Sequence, residues 1–235
     1  MLEALVLAGG LGTRLRQAVP DAPKAMAVVA GKPFLEILLD ELAHKGFGRV
    51  VLSLGYMAEK ITSHFAGTYG GMRIDFVVED SPLGTGGAVR LGLGRCLADH
   101  VFVFNGDTYL DLEVDALEAQ WQRDRRPIMV CRAVADTARY GRIRLDETGR
   151  RLAGFSEKGM GGEGLINAGC YVLNPNQLDA FAAGSVFSLE ADYLVKAASE
   201  AAFDVFITAG RFIDIGIPAD FARAQIELSP GFKAG

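Results

Sequence analysis

Cysteine, histidine and basic charge are all scarce in this sequence, and each scarcity closes a route. The three cysteines, Cys96, Cys131 and Cys170, are an odd, widely spaced set among apolar neighbours, so they read as reduced core residues. The three histidines, His44, His64 and His100, lack metal-ligand spacing. With 24 basic against 29 acidic residues the formal net charge is -5, and the densest basic cluster, Arg123-Asp124-Arg125-Arg126, reads as a solvated helix end. No nucleic-acid surface is expected, and any anion site has to be local. No apolar run approaches the roughly 18 residues of a membrane span. Glu3 precedes the first apolar run and no basic leader stands before it, so the expectation is a cytoplasmic chain with neither signal peptide nor membrane segment.

What is abundant is apolar surface and glycine. Half the residues are apolar, 23% are charged and 29 of 235 are glycine, the profile of a compact α/β protein with many tight turns and one substantial core. Residues 5–8 (LVLA), 49–54 (RVVLSL), 73–78 (RIDFVV) and 101–105 (VFVFN) read as buried strands. Between them, Leu35, Leu38, Leu39 and Leu42 recur at helical spacing, with Pro33 as first helical residue and Gly46 as stop; residues 57–65 read as a short helix. This alternation implies right-handed βαβ units, a mostly parallel sheet, and ligands at the carboxyl ends of its strands. From Pro127 the pattern changes. Residues 128–133, 141–145 and 151–155, with a turn at 146–149, predict an antiparallel or mixed extension. Residues 166–173, 203–207 and 211–213 read as further strands. Asn174-Pro175 is expected to start a helix, Ser188 to cap one over 189–199, and a last helix to reach Leu228.

The stretch from Leu5 to Lys24, LVLAGGLGTRLRQAVPDAPK, concentrates the chemistry. Its apolar run ends at Leu7-Ala8, and Gly9-Gly10 then allow close backbone approach. Gly12 keeps the turn open, Thr13 offers a hydroxyl, Arg14 a planar five-donor cation, and Lys24 a second cation. Backbone N–H groups with two cations make a polyphosphate cradle. The glycines fit neither G-x-G-x-x-G nor a Walker loop, which disfavours a dinucleotide-dependent dehydrogenase.

Three strand ends supply the rest. Residues 79–88 (EDSPLGTGGA) bring Glu79 beside Gly84, Thr85, Gly86 and Gly87, whose glycines predict a flat surface for a base or ribose. Guanine offers two adjacent donors and a carboxylate two acceptor oxygens, so Glu79 favours guanine, with uracil second. Asn105-Gly106-Asp107 ends the fourth strand, where an acid is well placed to meet a divalent ion on phosphate oxygens. Asp214 repeats that arrangement, and two such acids can share one Mg2+. Asp111 and Asp115 read as helix-entry acids.

The string G-G-x-G-T-R-L followed by P-K resembles the signature of the sugar-phosphate nucleotidyltransferases, with Ala25 where that family usually has proline. Residues 79–88 resemble its base-recognition loop. Tyr140-Gly141, Glu157-Lys158 and Asn167-Ala168-Gly169 resemble its acceptor elements. The resemblance implies a Rossmann-like, mixed but mostly parallel sheet flanked by helices. It implies one domain over 1–235, with 1–126 binding nucleotide and 127–235 binding sugar phosphate. It further implies that a sugar 1-phosphate attacks the α-phosphorus of a nucleoside triphosphate, releasing pyrophosphate. Under it Leu7 to Gly10, Gly12, Thr13, Arg14, Lys24, Glu79, Gly84, Thr85 and Asn105 to Asp107 bind nucleotide, GTP preferred. Tyr140, Gly141, Glu157, Lys158, Asn167 and Gly169 bind the sugar phosphate, and Asp107 with Asp214 holds Mg2+. Arg14, Lys24, Asp107, Lys158 and Asp214 form the catalytic set. F-I-D-I-G-I-P, with Ile217 where threonine is common, looks like the branch acting on heptose 1-phosphate. Mannose 1-phosphate with GTP and N-acetylmuramate 1-phosphate with UTP are the enzymatic alternatives. A silent nucleotide-sugar-binding regulator is disfavoured because the charged set is intact. Subunit count stays open; a homo-oligomer would use the globular surface.

Overall fold

The structure, a computed structural model, describes residues 1–10, 12, 22–156 and 161–232. Thr13, Arg14, Glu157 and Lys158 therefore lie outside the described residues. The first part of the chain runs β1 (Leu2–Leu7), β2 (Val28–Val29), β3 (Lys32–Pro33), α1 (Phe34–His44), β4 (Phe47–Leu54), α2 (Ala58–His64), β5 (Thr68–Tyr69) and β6 (Met72–Val78). It continues through α3 (Gly84–Leu93), β7 (Val101–Asn105), β8 (Thr108–Leu110), α4 (Val114–Asp124), β9 (Ile128–Val134), β10 (Ile143–Leu145) and β11 (Leu152–Phe155). Then follow β12 (Gly164–Leu173), a π-helical turn Leu189–Leu194, α5 (Val195–Ser199), β13 (Asp204–Thr208), β14 (Phe212–Asp214) and α6 (Pro218–Glu227).

Eight strands form one sheet in the order β13-β9-β12-β7-β1-β4-β6-β5. β1 pairs in parallel with β4 and β7, and β4 with β6, whereas β12 runs antiparallel to both β7 and β9. Alternation along the strands decides the layering, because successive side chains face opposite sides. Ala4, Val6, Phe102 and Phe104 pack with α1, α2 and α4 on one face. Leu5, Val51 and Val103 pack with α3, α5 and the π-helical turn on the other. With both faces covered, the strands read as continuous apolar runs. No described helix is long and apolar enough to cross a membrane.

Several expectations shift. After Pro127 the expected antiparallel pairing is present in small sheets, β10–β11 and the β14–β8 pair, while β9, β12 and β13 extend the main sheet. Asn174-Pro175 starts no helix. Gln177, Asp179 and Phe181 donate to Asn174, Asn176 and Leu178, three residues back, so the segment is a chain of turns. Its Phe181 ring stacks on Phe187 at 3.9 Å, a contact these turns deliver. Pro33 stands just before the first helical residue, Phe34. Asp115 sits in the first turn of α4, but Asp111 is ion-paired to Lys45 at 2.6 Å instead. Ser188 caps as expected, its hydroxyl accepting from Ala191 N–H at 3.1 Å. Cys131 and Cys170 are buried and Cys96 half-buried, all three free, and burial pushes the Cys131 thiol up to about 12.

One glycine bears directly on the site. Gly106 N–H donates to the Leu7 carbonyl at 2.9 Å, and a Cβ at Gly106 would stand 2.6 Å from that oxygen. Gly106→Ala is therefore expected to push β7 from β1 and lower stability by about 1–3 kcal/mol, read as a drop in thermal midpoint. An unchanged midpoint would mean that the two strand ends are not locked together.

Candidate active site

Register aligns the parallel strands so that their carboxyl ends meet. Leu7 lies opposite Ser53 on one side and Asn105 on the other. Chain direction reverses just beyond these residues, leaving a cavity of about 550 Å³ between the turns. Leu7 to Gly10, Lys24, Glu79, Gly84, Thr85 and Asn105 to Asp107 line it, so the structure gathers these sequence-predicted nucleotide residues in one place. Gly12 does not line the cavity. It takes φ +58°, and a Cβ there would stand 2.9 Å from Lys24 Cβ, so it packs behind the lysine.

The glycine turn fits its neighbours by backbone contact. A Cβ at Gly9 would meet Gly55 N at 3.0 Å, and one at Gly55 would meet Gly9 O at 2.9 Å. Gly55 and Tyr56 thus line the cavity too, as does Ala25. Gly55 and Tyr56 went unassigned in the sequence, although they follow a buried strand, and that position was the available signal.

Glu79 follows β6 and is half-buried. Its Oε2 accepts the Leu83 N–H at 2.9 Å, which fixes the carboxylate beside the glycine turn. Burial raises its pKa above the usual glutamate value, and the Leu83 N–H opposes that rise. The expected flat glycine surface is only partly present. A Cβ on Gly86 would strike the Phe187 ring at 2.2 Å and one on Gly87 the Ser185 carbonyl at 2.5 Å, so these two glycines receive protein rather than ligand. Gly84 and Thr85 remain at the cavity, with Thr85 Oγ1 accepting from Leu189 N–H at 3.0 Å.

Charge concentrates at the next turn. Lys24 Nζ meets Asp107 Oδ2 at 2.5 Å, joining the end of the glycine segment to the end of β7. β14 pairs antiparallel with β8, placing Asp214 opposite Thr108, and Ile215 N–H donates to the Asp107 carbonyl at 3.0 Å. Ile213 and Ile215 anchor that strand in a small core with Ala27, Val29, Phe34 and Ala224. Burial, and then the Asp107 charge, pushes the Asp214 carboxyl up, while Lys24 and the Gly216 N–H at 2.7 Å pull it down. Two acids thus face one lysine, an excess of negative charge that suits a cation.

The acceptor candidates lie beyond β7. Asn167 and Gly169 sit at a bulge in β12, where a Cβ on Gly169, at φ +70°, would meet Asn105 Nδ2 at 2.6 Å. The Asn167 amide donates to Tyr171 OH at 2.6 Å and accepts from Gly169 N–H at 3.0 Å, so its first task is to shape the bulge. Tyr140 and Gly141 close a turn whose N–H groups both donate to Thr137 O, at 3.0 and 3.3 Å. The Tyr140 ring meets Phe212 edge-on at 6.0 Å.

The family model for nucleotidyl transferases matches residues 3–229, spanning every element of the cavity. The chain belongs to the nucleotidyl transferase family. Within it, the D-glycero-α-D-manno-heptose 1-phosphate guanylyltransferase of Aneurinibacillus thermoaerophilus is 36% identical over 228 residues, covering 97% of this chain and 98% of that protein. The Campylobacter jejuni protein of that name is 34% identical, covering 94% and 97%. The crystal structure of HddC from Yersinia pseudotuberculosis complexed with GMP-PN matches with a TM-score of 0.86 and 36% identity, over 97% of this chain and 100% of that one. This nucleotidyltransferase departs from the usual family signature at Ala25. That residue is buried in a 3-10 turn, Lys24–Met26, which sets the lysine without the proline.

Proposed function

We propose that this nucleotidyltransferase joins GTP and D-glycero-α-D-manno-heptose 1-phosphate to give GDP-heptose and pyrophosphate. The single observation that carries the reading is the cavity lined by Glu79 at one turn and by the Lys24–Asp107 pair at another, with Asp214 within electrostatic reach of that pair. The names of the two nearly full-length relatives support the choice of base and sugar.

In this reading the glycine turn presents N–H groups to the triphosphate and Glu79 accepts the two adjacent donors of guanine. Lys24 neutralises the α-phosphate. Arg14 steadies the departing pyrophosphate and Lys158 the acceptor phosphate; both lie outside the described residues. A sugar-phosphate oxygen forms a bond to the α-phosphorus in line, while the α–β bridging bond breaks and its electron pair leaves with pyrophosphate. Such a displacement rests on positioning and charge neutralisation, with no protein nucleophile. Asp107 and Asp214 would hold Mg2+, which supplies shielding between the phosphates. Two carboxylates fit an ion that keeps waters and takes phosphate oxygens for its other ligands. Tyr140, Gly141, Glu157, Asn167 and Gly169 form the acceptor side, and the chain acts as one domain with nucleotide held by 1–126 and acceptor by 127–235.

Pyrophosphate release from a panel of sugar 1-phosphates crossed with GTP, UTP, ATP and dTTP tests the reading. The heptose 1-phosphate with GTP is expected to be fastest. Faster release with UTP or dTTP would overturn the base, and faster release with mannose 1-phosphate the sugar.

A further inference from the structure

Asp220 takes no part in the reading above, yet it is 6% exposed and stands in the first turn of α6. A nearly buried acid needs a reason, because desolvating a carboxylate is costly unless it is paired. Its partner is Arg139, ion-paired through Nη1 at 2.7 Å, with Arg223 farther off at 3.5 Å. Arg139 immediately precedes Tyr140-Gly141, and its guanidinium lies over the Tyr140 ring at 5.1 Å. The same ring also meets Phe212, which opens the strand ending in Asp214. Asp214 in turn lies close enough to act electrostatically on both Arg139 and Tyr140.

Two contacts therefore dock the loop between β9 and β10 onto the β14–α6 segment, one ionic and one aromatic. The same loop is also tied to the segment before β12: Thr137 N–H and hydroxyl both donate to Gly162 O, at 3.0 and 3.1 Å, and Asp136 accepts from Gly162 N–H at 3.2 Å. We propose that Asp220 is a positioning residue for the acceptor: by holding Arg139 it sets the Tyr140-Gly141 turn at a fixed distance from the strand that carries Asp214. The inference rests on the assignment of that turn to the sugar phosphate. Displacing a substrate ledge by a fraction of a residue's width harms the reacting geometry while the nucleotide half, on β1, β4, β6 and β7, keeps its contacts.

Steady-state kinetics on the full chain, with GTP and either heptose or mannose 1-phosphate, test this. Asp220→Asn and Arg139→Met are each expected to raise KM for the sugar phosphate about tenfold and leave KM for GTP within about twofold. Arg139→Lys, which keeps the charge, is expected to recover most of the loss. The double variant is expected to be no worse than either single, as befits two residues acting as one unit. Thermal midpoints with and without GTP follow folding, and half-exposed Arg139 carries the test should Asp220→Asn fail to fold. An unchanged acceptor KM in an active protein overturns the inference alone, as does a parallel rise in both KM values. A wild type that releases no pyrophosphate with either sugar overturns the guanylyltransferase reading, and the inference with it.

Discussion

Asp107→Asn is expected to lower kcat by about 10²–10³-fold while the chain still folds, because a metal-bound charge clamp contributes several kcal/mol to a phosphoryl transition state. The substitution keeps the side chain's shape at a position that is 37% exposed. It removes one of the two carboxylates beside Lys24 and leaves the backbone pairing of Asp107 O with Ile215 N–H untouched. Pyrophosphate release at saturating GTP and sugar phosphate reads the effect, with far-UV circular dichroism as the control for folding. Asp214→Asn is expected to fall in the same range, and the double variant to fall little further if the two acids act on one ion as proposed. A kcat within about fivefold of wild type would remove Asp107 from the catalytic set.

Glu79→Gln is expected to lower kcat/KM for GTP about a hundredfold, the weight of losing a charged acceptor against two donors. The amide oxygen can still accept the Leu83 N–H, so the side chain stays in place. Its NH2 group then points a donor where guanine also presents donors. UTP, which offers carbonyl oxygens on either side of its N–H, is expected to lose less, narrowing or reversing the preference. The same carboxylate sets a pH response. Only the ionised form accepts both donors, and burial holds its pKa above the ordinary glutamate value. KM for GTP is therefore expected to rise as pH falls, beginning at a less acidic pH than an exposed glutamate would give, and Glu79→Gln is expected to lose that rise. Retention of GTP preference in the variant would assign the base to other groups.

Much of this was readable in local pattern. The parallel strands ending at Leu7, Leu54, Val78 and Asn105 were visible as apolar runs within a few residues of their bounds, and the chemistry followed at their carboxyl ends. Lys24, Glu79 and Asp107 were assigned to one nucleotide site from strand ends, residue type and the family resemblance, and the fold brings all three to one cavity. The glycines at 84–87 were harder. Their spacing announces close approach but not by what, and Phe187 and Ser185 fill two of the places expected for ligand. The strand at Ile128 resembled the start of an extension because alternation reads the same in a new sheet or as a further strand of an old one.

Propensity, period and turn chemistry act between near neighbours, so the amino-acid order was enough for the long strands, for several helices, and for the glycine turn after β1. Partnerships between distant segments came from the folded chain. Lys24 meets Asp107 across 83 positions, Asp214 stands opposite Thr108, Asn167 shapes a bulge, and buried Asp220 holds Arg139. Such pairs follow from which surfaces pack against which, and a single charged residue looks the same in sequence whether its partner is water, a substrate or an acid brought from the far end of the chain.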